Sequence, residues 1–234
     1  MDRMIYLSMS GAKATMQRQD TLADNLANVS TPGFRAVPVQ GSGASTRVYA
    51  LETTTGYDGS QGPITGTGRN LDVAVKGNSW LSVQALDGTE AYTRGGALEL
   101  SNDGTLTTRS GLPVLGDGGP LQVPANSVVS IGADGTVSAK GADGRSTAVG
   151  KLKLVTPDAA LTRGEDGLFR ATSGDLTADD TARVQDGALE GSNVSPVETM
   201  VAMISAARQF EAQMKMLQTA EANEKAAAQL LTLT

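Results

Sequence analysis

The chain has no cysteine and no histidine. Without cysteine, disulfides and thiolate metal sites are excluded, although that absence fixes no compartment. Without histidine, the commonest general base, the commonest metal ligand and any Ser-His or Cys-His nucleophile pair are missing. Only carboxylate or Ser-Lys chemistry stays open to an enzyme. No Gly-x-Ser-x-Gly, phosphate-binding Gly-x4-Gly-Lys or dinucleotide fingerprint is found, so no catalytic residue, metal or cofactor is expected. Aromatics are 3% of the residues, and a core must rest on Leu, Val, Ala and Met. No apolar run nears the ~20 residues that span a bilayer, and direct membrane insertion is not expected. Asp2, Arg3, Lys13, Arg18 and Asp20 interrupt any signal-peptide core. A chain that leaves the cytoplasm would do so without a cleaved signal. Basic residues are outnumbered by acidic ones, for a net charge of −6. The excess acid lies in the middle and the ends are near neutral, so the ends can approach each other. An acidic middle argues against nucleic acid.

What is present is an amphipathic helical pattern at each end. The first runs Ile5, Met9, Ala12, Met16, Gln19, Ala23, Leu26, in steps of four and three. It stops at Asn28-Val29-Ser30-Thr31-Pro32-Gly33, where Pro32 biases Thr31 away from the helix and Gly33 permits a sharp turn. The second runs Met203, Ala207, Phe210, Met214, Leu217 and then weakens. Ser195-Pro196-Val197-Glu198 reads as a capping box with proline at the first helical position. An amphipathic helix needs a partner for its stripe. The two can pair with each other, coiled-coil-like, or with other chains, which points to a subunit built for assembly.

Between them the chain is glycine-rich. Residues 36–70 keep no period and read as an extended linker with one short strand at Arg47–Leu51. From Leu71, alternation begins, and short strands are expected at 71–76, 80–86, 97–100, 105–108, 113–115, 128–131, 136–138 and 151–155. Asp-Gly occurs eight times, mostly between these strands. That suits type I′ hairpin turns; calcium loops would need an EF-hand spacing that no segment has. The expected fold is α+β, with a helical core from residues 1–35 and 191–234, a linker at 36–70 and a β-domain at 71–190.

Three blocks then carry a resemblance. Asn25-Leu26-Ala27-Asn28-Val29-Ser30-Thr31-Pro32-Gly33-Phe34 resembles the N-terminal signature of bacterial flagellar rod and hook proteins. Leu71-Asp72-Val73-Ala74-Val75-Lys76-Gly77 with Trp80, then Tyr92-Thr93-Arg94-Gly95-Gly96, resembles the start of their middle domain. Leu189-Glu190-Gly191-Ser192-Asn193-Val194-Ser195-Pro196-Val197-Glu198 resembles the approach to their C-terminal helix. The chain length and the opening Met1-Asp2-Arg3-Met4-Ile5-Tyr6 resemble proximal rod members. Distal ones, the alternative, usually carry Gln-Arg-x-Tyr-Glu where this chain has Ala207-Arg208-Gln209-Phe210-Glu211.

The resemblance implies a structural subunit exported unfolded through the flagellar type III apparatus. It would join copies of itself and other rod subunits in a helical shaft that crosses the periplasm and transmits torque. It implies that Ile5, Met9, Met16, Leu22, Leu26, Ile204, Phe210, Met214 and Leu217 carry the association. The turn at Asn28, Thr31, Pro32, Gly33 and Phe34 would aim the chain from helix to outer domain. Two other classes stay open. A self-contained secreted scaffold would hold its helices as an intramolecular hairpin. A carboxylate-dependent glycosidase would need two facing acids, and the sequence identifies none.

Overall fold

A computed structural model describes residues 2–38, 56–125, 127–141 and 144–231 of the chain. The strand expected at Arg47–Leu51 lies outside them. The architecture is α+β, two helices and a central region of short strands. In chain order these are α1 (Asp2–Ala27), β1 (Ile64–Gly66), β2 (Val73–Val75), β3 (Trp80–Gln84), β4 (Glu90–Thr93), β5 (Leu98–Leu100) and β6 (Leu106–Thr108). There follow β7 (Leu115–Gly116), β8 (Gly119–Pro120), β9 (Val128–Ile131), β10 (Thr136–Lys140), β11 (Ser146–Lys151) and β12 (Leu154–Val155). The chain ends in β13 (Thr162–Arg163), β14 (Phe169–Arg170), β15 (Val184–Asp186), β16 (Ala188–Glu190) and α2 (Pro196–Leu231). One compact unit holds α1 and α2. The other is formed by Ser30–Ala36 and Gly56–Asn193.

In the β-rich unit the largest sheet has the order β12-β3-β4-β14-β13, beside a three-stranded sheet β11-β10-β9. Two-stranded ladders join β15 to β2, β5 to β6, β7 to β8 and β1 to β16. Residues 56–70, inside the stretch read as a linker, thus supply β1, which pairs Ile64 with Glu190. Strand β3 explains how so few aromatics suffice. Leu81 and Val83 enter an aliphatic core with Val73, Val75, Leu98, Leu106, Val114 and Val184. Trp80, on the opposite face of the same strand, enters a small aromatic core with Tyr92, Leu161 and Phe169. The Trp80 and Phe169 rings are 4.7 Å apart, and Tyr57 meets both edge-on. Both faces of the strand are therefore covered. In β2 the same burial reaches Ala74, and Asp72 just before it is buried where alternation placed it outside. Asp72 Oδ2 accepts from the Thr67 hydroxyl at 2.7 Å, and Oδ1 has the Arg69 guanidinium 3.6 Å away as its counter-charge.

Asp87-Gly88, Asp103-Gly104, Asp134-Gly135 and Asp166-Gly167 make hairpin loops of a different kind from the type I′ turns expected, whereas Asp117-Gly118 is the central pair of the two-residue turn between β7 and β8. A two-residue type I′ turn has Asp and Gly as its central pair. Here the N–H of Gly88 donates to Ala85 O, Gly104 to Ser101 O, Gly135 to Gly132 O and Gly167 to Gly164 O, at 2.9 to 3.1 Å. That makes Asp and Gly the third and fourth residues of a turn, closed as a three-residue loop with the glycine in a G1 bulge. The acid has its own task. Asp87 Oδ1 accepts from the Thr89 N–H at 2.9 Å and hydroxyl at 2.6 Å, and Asp134 holds Thr136 in the same way. The fuller signal is Asp-Gly-Thr, which recurs from Asp87, Asp103 and Asp134.

Two groups in this unit contribute to its pH dependence from opposite ends. Hydroxyls of Thr156 and Thr181, each 2.6 Å away, donate to Asp179 and lower its pKa from 3.8 to about 2. Burial, with the charge of Glu90 nearby, pushes the Tyr92 phenol up from 10.0 to about 12. A depressed carboxylate favours the fold above its unfolded pKa, and that contribution is lost as pH falls through the folded value. A raised phenol favours it below the unfolded pKa, and that contribution is lost as pH rises through the folded value. Urea midpoints should therefore be level from about pH 5 to 9 and fall on both sides. Asp179→Asn should flatten part of the acid limb and Tyr92→Phe part of the alkaline one.

Candidate functional site

Three segments far apart in sequence meet at Glu190, whose side chain is fully buried, as are those of Arg94 and Arg35. Glu190 Oε2 accepts from Arg94 Nε at 2.9 Å and Nη2 at 2.6 Å. Oε1 accepts from Arg35 Nη2 at 2.8 Å and from the Gly62 N–H at 3.0 Å. One carboxylate thus faces two guanidiniums. The surplus positive charge is spread over carbonyls: Arg94 also donates to those of Val75, Gly77 and Ser79, and Arg35 to that of Ser60. Burial pulls the Arg94 pKa down, Glu190 pushes it back, and Arg35 adds to the fall.

The turn after α1 is built onto this cluster. The helix frays at Asn28, whose N–H reaches Asp24 O at 3.2 Å and whose amide reaches the same carbonyl at 2.9 Å. Thr31 is exposed and Pro32 half-buried. Gly33 sits at φ +71° and donates its N–H to Glu190 O at 2.8 Å. A Cβ there would lie 2.3 Å from the Arg94 carbonyl carbon, so conformation and space both require glycine. Phe34 is buried, with the Arg163 guanidinium 4.6 Å from its ring. Its carbonyl accepts from the Asn193 N–H at 3.3 Å, and Asn193 Oδ1 accepts from the Ala36 N–H at 2.7 Å. Residues 33–36 and 190–193 are thereby tied side by side. These are the two places where the chain leaves the β-rich unit.

The sequence reading reached Pro32, Gly33 and Phe34 but passed over Arg35, Arg94 and Glu190. Arg94 and Glu190 stand inside two of the family-like blocks and Arg35 directly follows the first, but no local pattern marks any of them as buried. Glu190→Gln would leave two buried guanidiniums without a counter-charge, which costs about 3–5 kcal/mol. A large drop in urea midpoint, followed by fluorescence of the single tryptophan, Trp80, checks this. Gly33→Ala should also lower the midpoint, through the turn alone.

In the helical unit α1 and α2 lie against each other, and a Cβ on Gly11 would be 2.8 Å from Gln213 Nε2. Among the residues whose side chains are described, the buried positions are Ala14, Thr15, Leu22 and Asn25 on α1, and Thr199 and Ala206 on α2. Phe210, Gln213 and Leu217 follow half-buried at the same helical spacing, and Leu26 is half-buried too. This seam is largely small or polar. Arg18 Nε and Gln213 Oε1 are enclosed in it without a hydrogen-bond partner. Met9, Met16, Ile204 and Met214 are exposed, the first three by more than half. Ile5 lies outside the residues whose side chains are described. On the side of α2 away from Thr199 and Ala206, Val197, Met200, Val201 and Ile204 form an apolar stripe, each more than half exposed. Of these four, only Ile204 was anticipated. The others fall in the first turns, before the Met203 repeat that dominates the pattern. Among the described residues no helix is long and apolar enough to cross a membrane.

Comparison with known proteins agrees with this layout. Residues 5–35 match the family described as flagella basal body rod protein. Residues 74–139 match the flagellar hook protein FlgE/F/G D1 domain. Residues 185–230 match the flagellar basal body rod FlgEFG protein C-terminal family. The chain is 45% identical to the flagellar basal-body rod protein FlgF of Salmonella typhimurium and 44% to that of Escherichia coli, in each case over the whole of both chains. It is 32% identical to the flagellar basal-body rod protein FlgG of Bacillus subtilis, covering 94% of this chain and 95% of that one. With three family matches in order and end-to-end identity to FlgF, the chain belongs to the flagellar basal-body rod protein family and is most like its FlgF members.

Proposed function

We propose that this structural subunit of the basal-body rod occupies the proximal part of the shaft, joined to copies of itself and to other rod subunits through its two helices. The carrying observation is the outward stripe of Val197, Met200, Val201 and Ile204, with Met9 and Met16 exposed on α1. Fully burying an aliphatic side chain is worth ~1.5–3 kcal/mol, so covering these half-exposed ones yields about 1 kcal/mol apiece. Methionine adapts to neighbours of differing shape, which suits a lattice of non-identical subunits. The helices pair along a coiled-coil-like seam in which Leu22, Phe210 and Leu217 provide the apolar contacts. Met9, Met16, Ile204 and Met214 serve neighbouring chains. The buried tie at Glu190 holds the two chain exits together, so torque passes through both helices rather than one. The shaft crosses the periplasm, and its subunits reach it unfolded through the type III export apparatus, without a cleaved signal.

The contact between α1 and α2 favours a second reading, a self-contained scaffold whose helices need no neighbour. The double variant Met200→Asp, Ile204→Asp separates the two. The rod reading expects a non-swimming cell whose purified subunit keeps the wild-type unfolding midpoint at Trp80. Normal swimming would sink it. Hydrogen exchange on the monomer adds a second criterion. Fast exchange in residues 1–35 and 195–234, beside protection in 70–190, means ends that order only on assembly. Protection throughout means a standing helical hairpin.

A further inference from the structure

We propose that Asp117-Gly118 is a modification site, the one described Asp-Gly pair that the folded β-rich unit leaves free to rearrange spontaneously to isoaspartate. The motif occurs eight times in the chain, and seven of these pairs lie among the described residues. The chemistry is the same at each. The main-chain nitrogen of the glycine attacks the protonated side-chain carboxyl of the aspartate. A nitrogen–Cγ bond forms, a Cγ–oxygen bond breaks, and the amide and carboxyl protons leave with that oxygen as water. Water then opens the five-membered imide. Opening at the former main-chain carbonyl leaves the chain running through the aspartate side chain. Water is the only reagent. The fold must therefore allow three things: a carboxyl that can turn, an amide free of other bonds and a backbone that can bend.

Six of the seven pairs are denied at least one of these. Asp87 and Asp134 each accept from the N–H and the hydroxyl of the threonine two residues on. Asp103 does the same with Thr105, and Asp166 accepts from the Leu168 N–H and the Arg170 guanidinium. In these four loops the glycine N–H is also committed, to the carbonyl three residues back. Donors on Thr89, Ser101, Thr136 and Arg170 hold the carboxyls of Asp87, Asp103, Asp134 and Asp166 below their ordinary value, which leaves less of the acid form that reacts. Asp58 accepts from the Ser60 N–H at 2.8 Å, and its own N–H is bonded to Ala36 O. Asp186 has no such cap. It ends β15 in register with Val73, however, and the Gly187 carbonyl accepts from the Thr67 and Gly68 N–H groups. The backbone there is fixed on both sides.

Asp117 meets none of these restraints. Its side chain is exposed and makes no hydrogen bond or salt bridge among the described residues. Lys151, the cation that feels its charge, is itself paired with Asp180 at 2.6 Å. The Gly118 N–H has no acceptor among the described residues, and a Cβ on Gly118 would meet nothing within 4 Å. The pair forms the two-residue turn between Gly116 and Gly119. Glycine on either side, and within the pair, lets this backbone bend where a strand would not. Asp117 also lines a cleft of about 610 Å³, which gives water access to the imide. The product has one more carbon in the main chain than the turn was built for, so the pairing of β7 with β8 loosens locally.

The test follows heavy oxygen. Full-length folded protein is held at neutral pH in heavy-oxygen water, and each imide that opens takes up one labelled atom. Trypsin then releases Asp117 and Asp134 in one peptide, residues 110–140. Electron-transfer fragmentation assigns label and isoaspartate within it, so each molecule carries its own control. Asp134 must break several hydrogen bonds of ordinary strength before it reacts, and Asp117 should lead it by about tenfold or more. In concentrated urea the two rates should converge, because the difference belongs to the fold. Thr136→Val, which removes the hydroxyl bonded to Asp134, should raise labelling there and leave Asp117 unchanged. The Trp80 unfolding midpoint checks that this variant is folded. No label at Asp117, comparable rates at the two sites in the folded chain, or a faster rate at Asp186 overturns the assignment. The chemistry needs only the folded β-rich unit, so it stands or falls apart from the helical contacts.

Discussion

A single carboxylate, Glu190, accepts from two guanidiniums and a backbone amide in a place closed to water. Isolated, any one of these charges would be too costly to bury. Together they are tolerable, because every guanidinium nitrogen but Arg35 Nε has a carbonyl or carboxylate within reach. The arrangement has no good half-formed version. Remove the acid and two cations are stranded; remove an arginine and part of the carboxylate is. The turn at Gly33, the β1–β16 ladder and the crossing of residues 33–36 with 190–193 all converge on it. It thus acts more as a device of specificity than of net stability, fixing which three segments meet and in what register.

The helical unit is organised on the opposite principle. Its buried seam is short of apolar atoms and holds two polar atoms without partners, while methionine, valine and isoleucine face outward. For a monomer this is a poor use of hydrophobic surface. For a subunit it is sensible. The Thr15 and Thr199 hydroxyls bond back to the carbonyls of Gly11 and Ser195, and the Asn25 amide bonds to Val37, so the seam needs few apolar residues and, under the proposed assembly, leaves the rest for other chains.

That division explains what the sequence could and could not disclose. Periodicity located both helices within a few residues, since Pro32 and Pro196 punctuate them. It could not say which stripe faces inward. A stripe of period 3.5 identifies a seam, but a helix with apolar residues on two sides has two of them. On α1 the repeat through Met9 and Met16 sits one residue away from the buried repeat through Thr15 and Leu22. In the β-rich unit, strands such as Val128–Ile131 were legible because alternation survives where one face meets water. β2 and β3 are covered on both faces, and there Asp72 and Ser82 go inside with the valines. The ion cluster was hidden for a different reason. Its members are separated by up to 155 positions (35 to 190), and nothing local marks an arginine as buried.

The same separation bears on how the fold is reached. The loops at Asp87, Asp103, Asp134 and Asp166 close over a handful of residues, each with its aspartate cap, and loops of that size form in well under a millisecond. The contacts at Glu190 span 96 residues to Arg94 and more to Arg35, so their closure bears most of the loop entropy. Local hairpins should therefore precede the cluster, and the cluster should be the step that makes the unit cooperative. No disulfide has to form along the way, since the chain has no cysteine. Under the proposed export route, in which the subunit travels unfolded and refolds at its destination, such a plan is an advantage. The step that ties residues 33–36 to 190–193 then comes after the hairpins around it.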